Sequence, residues 1–373
     1  MKVLALACYP DRAAATRYRL TQFVRPLAER GVELTVRSFL DDATFATLYT
    51  RSAWRSTAVG LVRAMARSVT IPSEARGADV LMIQREAMLL GPPVVELLAR
   101  RLGRCPMILD LDDATYVSYA SPTYGRFATL LKWPGKTDTL LRRSALVTCG
   151  NQVVAQYAAA MGRPSVLVPS VVDTDRFRPR RSTGQDGDRP PVVGWVGSHS
   201  TFRYLQTILP VLAEVARSHR FTLRVVGSDV APPAPPGLDV EHRPWSLERE
   251  VEDFQDLDIG LYPMDDNRWT VGKSGLKSIQ YMAVGVPFVA SPVGAVAHIG
   301  EPGVTHLTAT TRAEWRDALG RLLEDSVARR TMGEAGRLHV LEHYQLGQMA
   351  DRLAAAMKGL ASGPPPDEYR AAG

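Results

Sequence analysis

Short apolar runs of strand length alternate with helical patterns along this chain, and the series runs twice. In the first half, residues 2–7, 31–37, 80–84, 105–111, 145–149 and 165–169 read as strands. Helical patterns over 18–30, 88–102 and 152–161 fall between them. Parallel neighbours need a crossover connection, so this alternation builds a parallel sheet with helices on both faces. Residues 178–191 interrupt it, being charged, rich in Gly, Pro and Ser, and without period. Strands then resume at 191–196, 221–226, 238–241, 258–262 and 287–290, with a helix at 202–218. Ala231-Pro-Pro-Ala-Pro-Pro-Gly237 reads as a stiff surface loop. Helices at 311–323, 326–343 and 346–360 close the chain, ahead of a Gly363-Pro-Pro-Pro366 tail expected to be disordered. At 373 residues the chain is long for one core. The expected architecture is therefore α/β, with two doubly wound, Rossmann-like domains facing a cleft.

The most informative stretch runs from Asp265 to Ala290 as a loop, a helix and a short buried strand. Gly272, Ser274 and Gly275 are small, so a ligand can approach their backbone closely. A helix pattern begins at Leu276 and is stopped by Gly285-Val286-Pro287. A glycine turn feeding a helix N-terminus offers unpaired N–H groups and the positive end of the helix dipole. Lys273 and Lys277 flank that turn. Such a site suits a phosphate or diphosphate, although two solvated lysines at a helix start would read the same in isolation. The preceding run, residues 257–263, looks like a buried strand, which puts the turn at the carboxyl edge of a sheet, where α/β proteins bind nucleotides.

Composition narrows the classes. With 45% hydrophobic and 23% charged residues the chain is neither disordered nor membranous. No apolar run reaches spanning length, and the apolar part of Met1–Pro10 is too short for a signal peptide, reading better as a first strand. Cys8, Cys105 and Cys149 lie far apart in or beside apolar runs, as reduced core residues do. The cytoplasm is the default address. Residues 1–180 hold 25 Lys and Arg against 15 Asp and Glu, and the remainder 20 against 24. A basic first half fits anionic lipid or a charged substrate better than nucleic acid, since the arginines are scattered and no nucleic-acid module is present.

Several segments together resemble the retaining nucleotide-sugar glycosyltransferases of family 4, which have the GT-B fold, over nearly all of the chain. Pro169-Ser-Val-Val-Asp-Thr-Asp-Arg-Phe-Arg-Pro179 matches the interdomain signature of that family. Val193-Gly-Trp-Val-Gly-Ser198 is similar to the first strand and diphosphate turn of its donor domain. Gly275-Leu276 and Tyr281–Ser291 are similar to its nucleotide-sugar helix and the strand after it, and the last helices, with Trp315, Arg337 and Tyr344, to its closing segment. The resemblance implies an acceptor-side domain over 1–177, a linker at 178–190 and a nucleotide-sugar domain over 191–345. It further implies a closing helix at 346–360 that packs back on the first domain, and a disordered tail at 361–373.

The chain also departs from that pattern. The family usually carries two glutamates eight positions apart, where this chain has Gly272 and Gln280. An arginine and a lysine usually reach the diphosphate, where this chain has Ser198 and Arg203, so Lys273 is expected to supply the missing cation. All seven histidines lie at or after His199, although the family commonly places one in its first domain. At the matching strand end stand Asp110, Asp112 and Asp113. Three carboxylates so close repel one another unless partners offset them, and helix capping in solvent is the plainer account.

The expected donor contacts are Gly197, Ser198, Arg203, Lys273, Ser274, Gly275, Leu276, Lys277 and Gln280. Asp112, Asp113 and Lys273 are the catalytic candidates. Arg17, Arg19 and Asp110 are the candidates for the acceptor, since arginines there suit an acidic or phosphorylated group. No metal and no cofactor beyond the nucleotide-sugar donor are expected. A helix with Arg51, Arg55, Arg63 and Arg67 beside Trp54, Val59, Leu61 and Met65 could rest on an anionic membrane, which would make the enzyme peripheral at the inner face. The expected activity is retaining, hexosyl-type transfer to a saccharide, lipid-linked or glycoconjugate acceptor, in envelope or capsular polysaccharide assembly of a GC-rich bacterium. The alternatives are a nucleotide-sugar epimerase or phosphorylase on the same fold, and a degenerate transferase that only binds a partner.

Overall fold

The computed structural model describes residues 1–117, 131, 133, 135–180 and 189–362. Most of the interrupting stretch, residues 181–188, and the tail from Gly363 lie outside the described residues. The chain divides into two units, each built on a six-stranded parallel sheet.

Unit 1 holds Met1–Ser170, the segment Gly272–Ser274 and the chain from Leu346 onward. Its strands are β1 (Lys2–Ala7), β2 (Glu33–Ser38), β3 (Val80–Gln84), β4 (Met107–Leu111), β5 (Leu146–Cys149) and β6 (Ser165–Leu167), in the order β2-β1-β3-β4-β5-β6. β3, β4 and β5 are continuous runs of buried residues, and β1 is buried from Val3 onward, as strands covered on both faces must be. Leu4, Leu6, Leu81, Ile83, Leu109 and Val147 centre one core. The register sets Ala7, Gln84, Asp110 and Thr148 side by side at the carboxyl edge. That alignment fixes which side chains can meet there.

The helices of unit 1 are α1 (Ala14–Arg19), α2 (Val24–Ala28), α3 (Asp42–Thr47), α4 (Trp54–Ser68), α5 (Ile71–Glu74), α6 (Val94–Gly103), α7 (Lys136–Arg143) and α8 (Gln152–Ala160). Two differ from the sequence reading. The single helix at 18–30 is broken into α1, a 3-10 turn at Thr21–Phe23 and α2. Pro26 has no N–H and its ring would strike the carbonyl of Gln22, so it fits only a new first turn. The helix at 88–102 starts at Val94, because Gly91, at φ 74°, and Pro92-Pro93 hold the preceding chain out of helix.

Unit 2 holds Val171–Val271 and Gly275–Gln345. Its strands are β7 (Val192–Val196), β8 (Thr222–Val226), β9 (Asp239–Arg243), β10 (Ile259–Tyr262), β11 (Phe288–Ala290) and β12 (Leu307–Thr308), in the order β12-β11-β10-β7-β8-β9. The helices are α9 (Phe202–Val215), α10 (Glu250–Gln255), α11 (Leu276–Ala283), α12 (Arg312–Glu324) and α13 (Ser326–His343). Trp195, Leu205, Leu212, Leu223, Ile259 and Val289 are in its core.

Unit 2 begins at Val171. Arg337 accounts for this, since it donates to the carbonyls of Thr174 at 2.9 Å and Phe177 at 2.7 Å. The buried Phe177 ring also packs edge-on to Phe254. The last helix, α14 (Leu346–Ser362), groups with unit 1, where Arg30 donates to Asp351 and to the Gly347 carbonyl.

Candidate functional site

At the carboxyl edge of unit 1, the chain turns sharply after β3. Arg85 takes a left-handed backbone at φ 59°, a conformation that costs a non-glycine residue roughly 1–2 kcal/mol. Its N–H donates to the Asp110 carbonyl at 2.8 Å, which locks the turn against β4. The guanidinium is thereby aimed at the aspartates. Nε and Nη2 fork onto the two oxygens of Asp112, with Nη2 at 2.6 Å, and Nη2 also donates to Asp113 Oδ2 at 3.0 Å. This two-pronged, charge-assisted geometry is the strong form of ion pair.

Asp113 has further partners. Its Oδ1 accepts the backbone N–H of Ser274 at 2.9 Å, and Lys273 Nζ lies 3.7 Å from Oδ2. Burial alone would push this carboxyl up, but Lys273, Arg85 and the Ser274 amide outweigh it and hold it below the usual carboxylate range. A carboxylate so stabilised is a weak base, suited to positioning more than to proton abstraction. The Asp113 carboxylate thus occupies an amide and a lysine that the sequence reserved for a phosphate.

Asp110, expected to meet an acceptor, is fully buried against Arg19 instead. Arg19 Nε donates to Asp110 Oδ2 at 3.0 Å and Nη1 to the Val168 carbonyl at 2.6 Å, while Thr148 donates to Asp110 from β5. Arg17, the other acceptor candidate, is buried and donates to the carbonyls of Asp11 and Arg12, shaping the loop after β1. The three aspartates therefore do not share one site: Asp110 has Arg19, while Asp112 and Asp113 have Arg85. Among the described residues, no group of three or more His, Cys, Asp or Glu could hold a metal ion.

Gly272 is pinned beside them. Its carbonyl accepts from the Ala114 N–H and from Asn151 Nδ2, each at 3.0 Å. A Cβ there would lie 2.1 Å from Ala114 Cβ, so any side chain at this position, a glutamate included, collides with Ala114. Asn151 also caps α8 and reaches the Asp112 carbonyl, so one side chain ties three segments together.

In unit 2, Gly275 sits at φ 69° as the residue before α11, and no side chain caps that helix. Its missing Cβ leaves room for Ile299, whose Cδ1 would otherwise be 2.3 Å away. Leu276 is the first helical residue. Lys277 lies over the Phe254 ring, 5.0 Å from its centroid, and donates to the buried Gln280 at 3.1 Å. After β7, a Cβ on Gly197 would strike the Trp195 ring. Ser198 faces Ser200 and Thr201, and Arg203 stacks on Tyr204 while donating to its hydroxyl.

The structure adds Arg85 and Asn151 to the residues read from sequence. Arg85 directly follows a buried strand at the carboxyl edge, in Ile83-Gln84-Arg85-Glu86, and three nearby carboxylates demanded a cation. Asn151 stands just before a helix pattern, where capping residues stand.

Residues 190–325, most of unit 2, match the family described as glycosyl transferases group 1. The chain resembles the group 1 glycosyltransferases. No curated protein matches the sequence. Solved structures share the fold over nearly the whole chain. HepE of Anabaena, in a structure with UDP-glucose, aligns at 17% identity and TM-score 0.68, covering 96% of this chain and 100% of its own. Sucrose-phosphate synthase of Thermosynechococcus elongatus aligns at 15% identity and TM-score 0.63, covering 97% and 100%. A glycosyltransferase of Rickettsia africae aligns at 10% identity and TM-score 0.65, covering 96% and 98%. The fold is that of the two-domain, Rossmann-like GT-B glycosyltransferases.

Proposed function

We propose that this group 1-like glycosyltransferase moves a sugar from a nucleoside diphosphate to an acceptor hydroxyl with retention at the transferred carbon. The observation that carries the reading is the uncapped N-terminus of α11 at Gly275-Leu276, inside the matched segment. No side chain caps this end, the Ser278 N–H turns back to the Gly275 carbonyl at 3.0 Å, and the helix dipole there favours an anion. A leaving diphosphate would draw charge stabilisation from the amides at this helix start and from Arg203. Lys273 would leave Asp113 for the diphosphate. HepE has been solved with UDP and with UDP-glucose, which supports a nucleotide-sugar donor here.

In a retaining transfer of this kind the leaving phosphate accepts the proton of the incoming hydroxyl. Asp113, held ionised by its cations, then has the role of holding Lys273 and the Ser274 amide in place rather than of a base. No metal is required by this scheme. The acceptor is a saccharide or lipid-linked glycoconjugate, in bacterial envelope or capsular assembly at the inner face of the membrane.

Gly272 favours one other reading, a transferase-like protein that binds nucleotide without turnover, because its contact with Ala114 excludes the usual glutamate. Calorimetric titration with UDP, GDP and dTDP, followed by a screen for nucleotide release from their sugar conjugates, tests both. Binding with release supports transfer, and binding without release from any donor supports the second reading. No binding of any of the three refutes both.

A further inference from the structure

We propose that the face of unit 1 formed by α4 and α6 docks on the surface of an anionic lipid bilayer. The inference does not depend on the sugar-transfer reading, because neither helix contributes a candidate site residue. With the right-handed crossovers of parallel sheets, the β2–β3 and β3–β4 connections place α4, α5 and α6 on the same sheet face. α5 packs directly against α6.

The helix α4 is inverted relative to an ordinary core-facing helix. It buries its small residues, Thr57, Gly60, Ala64 and Ser68, and approaches α3 so closely that a Cβ on Gly60 would lie 2.2 Å from Thr44 Oγ1. Its large apolar residues point outward: Trp54 is 60% exposed, Val62 66%, Met65 50%, and Val69 just beyond the helix 76%. At about 100° per residue these four fall within an arc of roughly 80°, one continuous stripe. α6 repeats the arrangement with Val94, Leu98 and Leu102, exposed at every fourth position. Two apolar stripes on one sheet face are more than scattered exposed residues.

Charge selects the occupant. From Ala43 to Ser73 the chain has no Asp or Glu. Arg55 borders the α4 stripe and Arg63 follows it on the same exposed side, and neither forms an ion pair among the described residues. Arg100, Arg101 and Arg104 are exposed at the end of α6. A second copy of this face would bring arginine against arginine. An anionic bilayer accepts both the apolar stripe, with Trp54 at the headgroup level, and the guanidinium groups around it.

The test is co-sedimentation of the full chain with vesicles of phosphatidylcholine alone and of phosphatidylcholine with phosphatidylglycerol. Binding to the anionic vesicles alone, weakened by salt, is expected. Neutralising two surface arginines in Arg55→Gln/Arg63→Gln should weaken it about 30-fold, and Val62→Asp/Met65→Asp should abolish it. These residues are exposed, so the thermal unfolding midpoint should stay put. Equal binding to both vesicle types, no binding to either, or full binding by the aspartate variant overturns the proposal. So does a dimer in sedimentation velocity that the aspartate variant dissolves, which would make a second copy the occupant.

Discussion

Replacing Arg85 with alanine tests whether the aspartate cluster is held by one guanidinium. The side chain of Arg85 is 22% exposed, against 7% for Asp112 and 11% for Asp113, so both carboxylates depend on it away from water. Removing one partner of a buried pair costs about 3–5 kcal/mol, and the partial exposure of Arg85 points to the lower end, about 3. A domain of this size shifts its melting temperature by roughly 2–4 °C per kcal/mol, so a fall of about 6–12 °C is expected in the unit 1 transition. Calorimetry of the full chain at pH 7 reads this directly. A second variant separates the ion pair from the backbone. Arg85→Gly loses the same guanidinium but relieves the left-handed strain at φ 59°, so it should melt above Arg85→Ala by about 1 kcal/mol in stability. Arg85→Ala combined with Asp112→Asn should cost less than the two changes added together, because each removes the same contact. A fall under 2 °C, or a glycine variant less stable than the alanine one, would refute this account of the cluster.

Side chains at position 272 should be costly: Gly272→Glu must displace Ala114, and even Gly272→Ala should cost about 1–3 kcal/mol in urea unfolding. The folded carboxyl of Asp113 lies below its unfolded value of about 3.9, so its contribution is present above that pH and is lost as pH falls through the lower folded value. Asp113→Asn should therefore flatten the stability curve below about pH 4. His306, stacked on Phe288 with ring centroids 4.8 Å apart, has its imidazole pushed down to about 4 by burial, with His339 adding to it. Its contribution is full above the unfolded value of about 6.5 and is lost between there and about 4. His306→Phe should then remove about 2 kcal/mol of the stability that the parent chain loses between pH 7 and pH 5 in urea titrations. Lys273→Ala should raise the donor KM or lower turnover at least tenfold, about 1.4 kcal/mol, and an unchanged rate would remove Lys273 from the site.

Both sheets were legible because buried parallel strands are written as continuous apolar runs, and residues 2–7, 80–84 and 192–196 fall inside such runs. Helix starts were less legible where proline decides them, as at Pro26 and Pro93. The aspartate cluster was visible as an electrostatic problem, since three carboxylates in four residues need cations. Its solution was not visible, because Arg85 lies 27 residues from Asp112 and only the register of β3 on β4 brings them together. The same register explains why Asp110 could not be separated from its neighbours in sequence. It is the partner of Gln84 within the sheet, so its side chain turns to Arg19 and Thr148, whereas Asp112 and Asp113 lie past the strand end. The end of β4 at Leu111 thus divides one acidic run between two tasks. A guanidinium that holds both Asp112 and Asp113 accounts for how this chain tolerates the two carboxylates side by side. Gly272 packs on Ala114 with its carbonyl held by the Ala114 N–H and Asn151, while Asp113 holds Ser274 and Lys273 at the same edge.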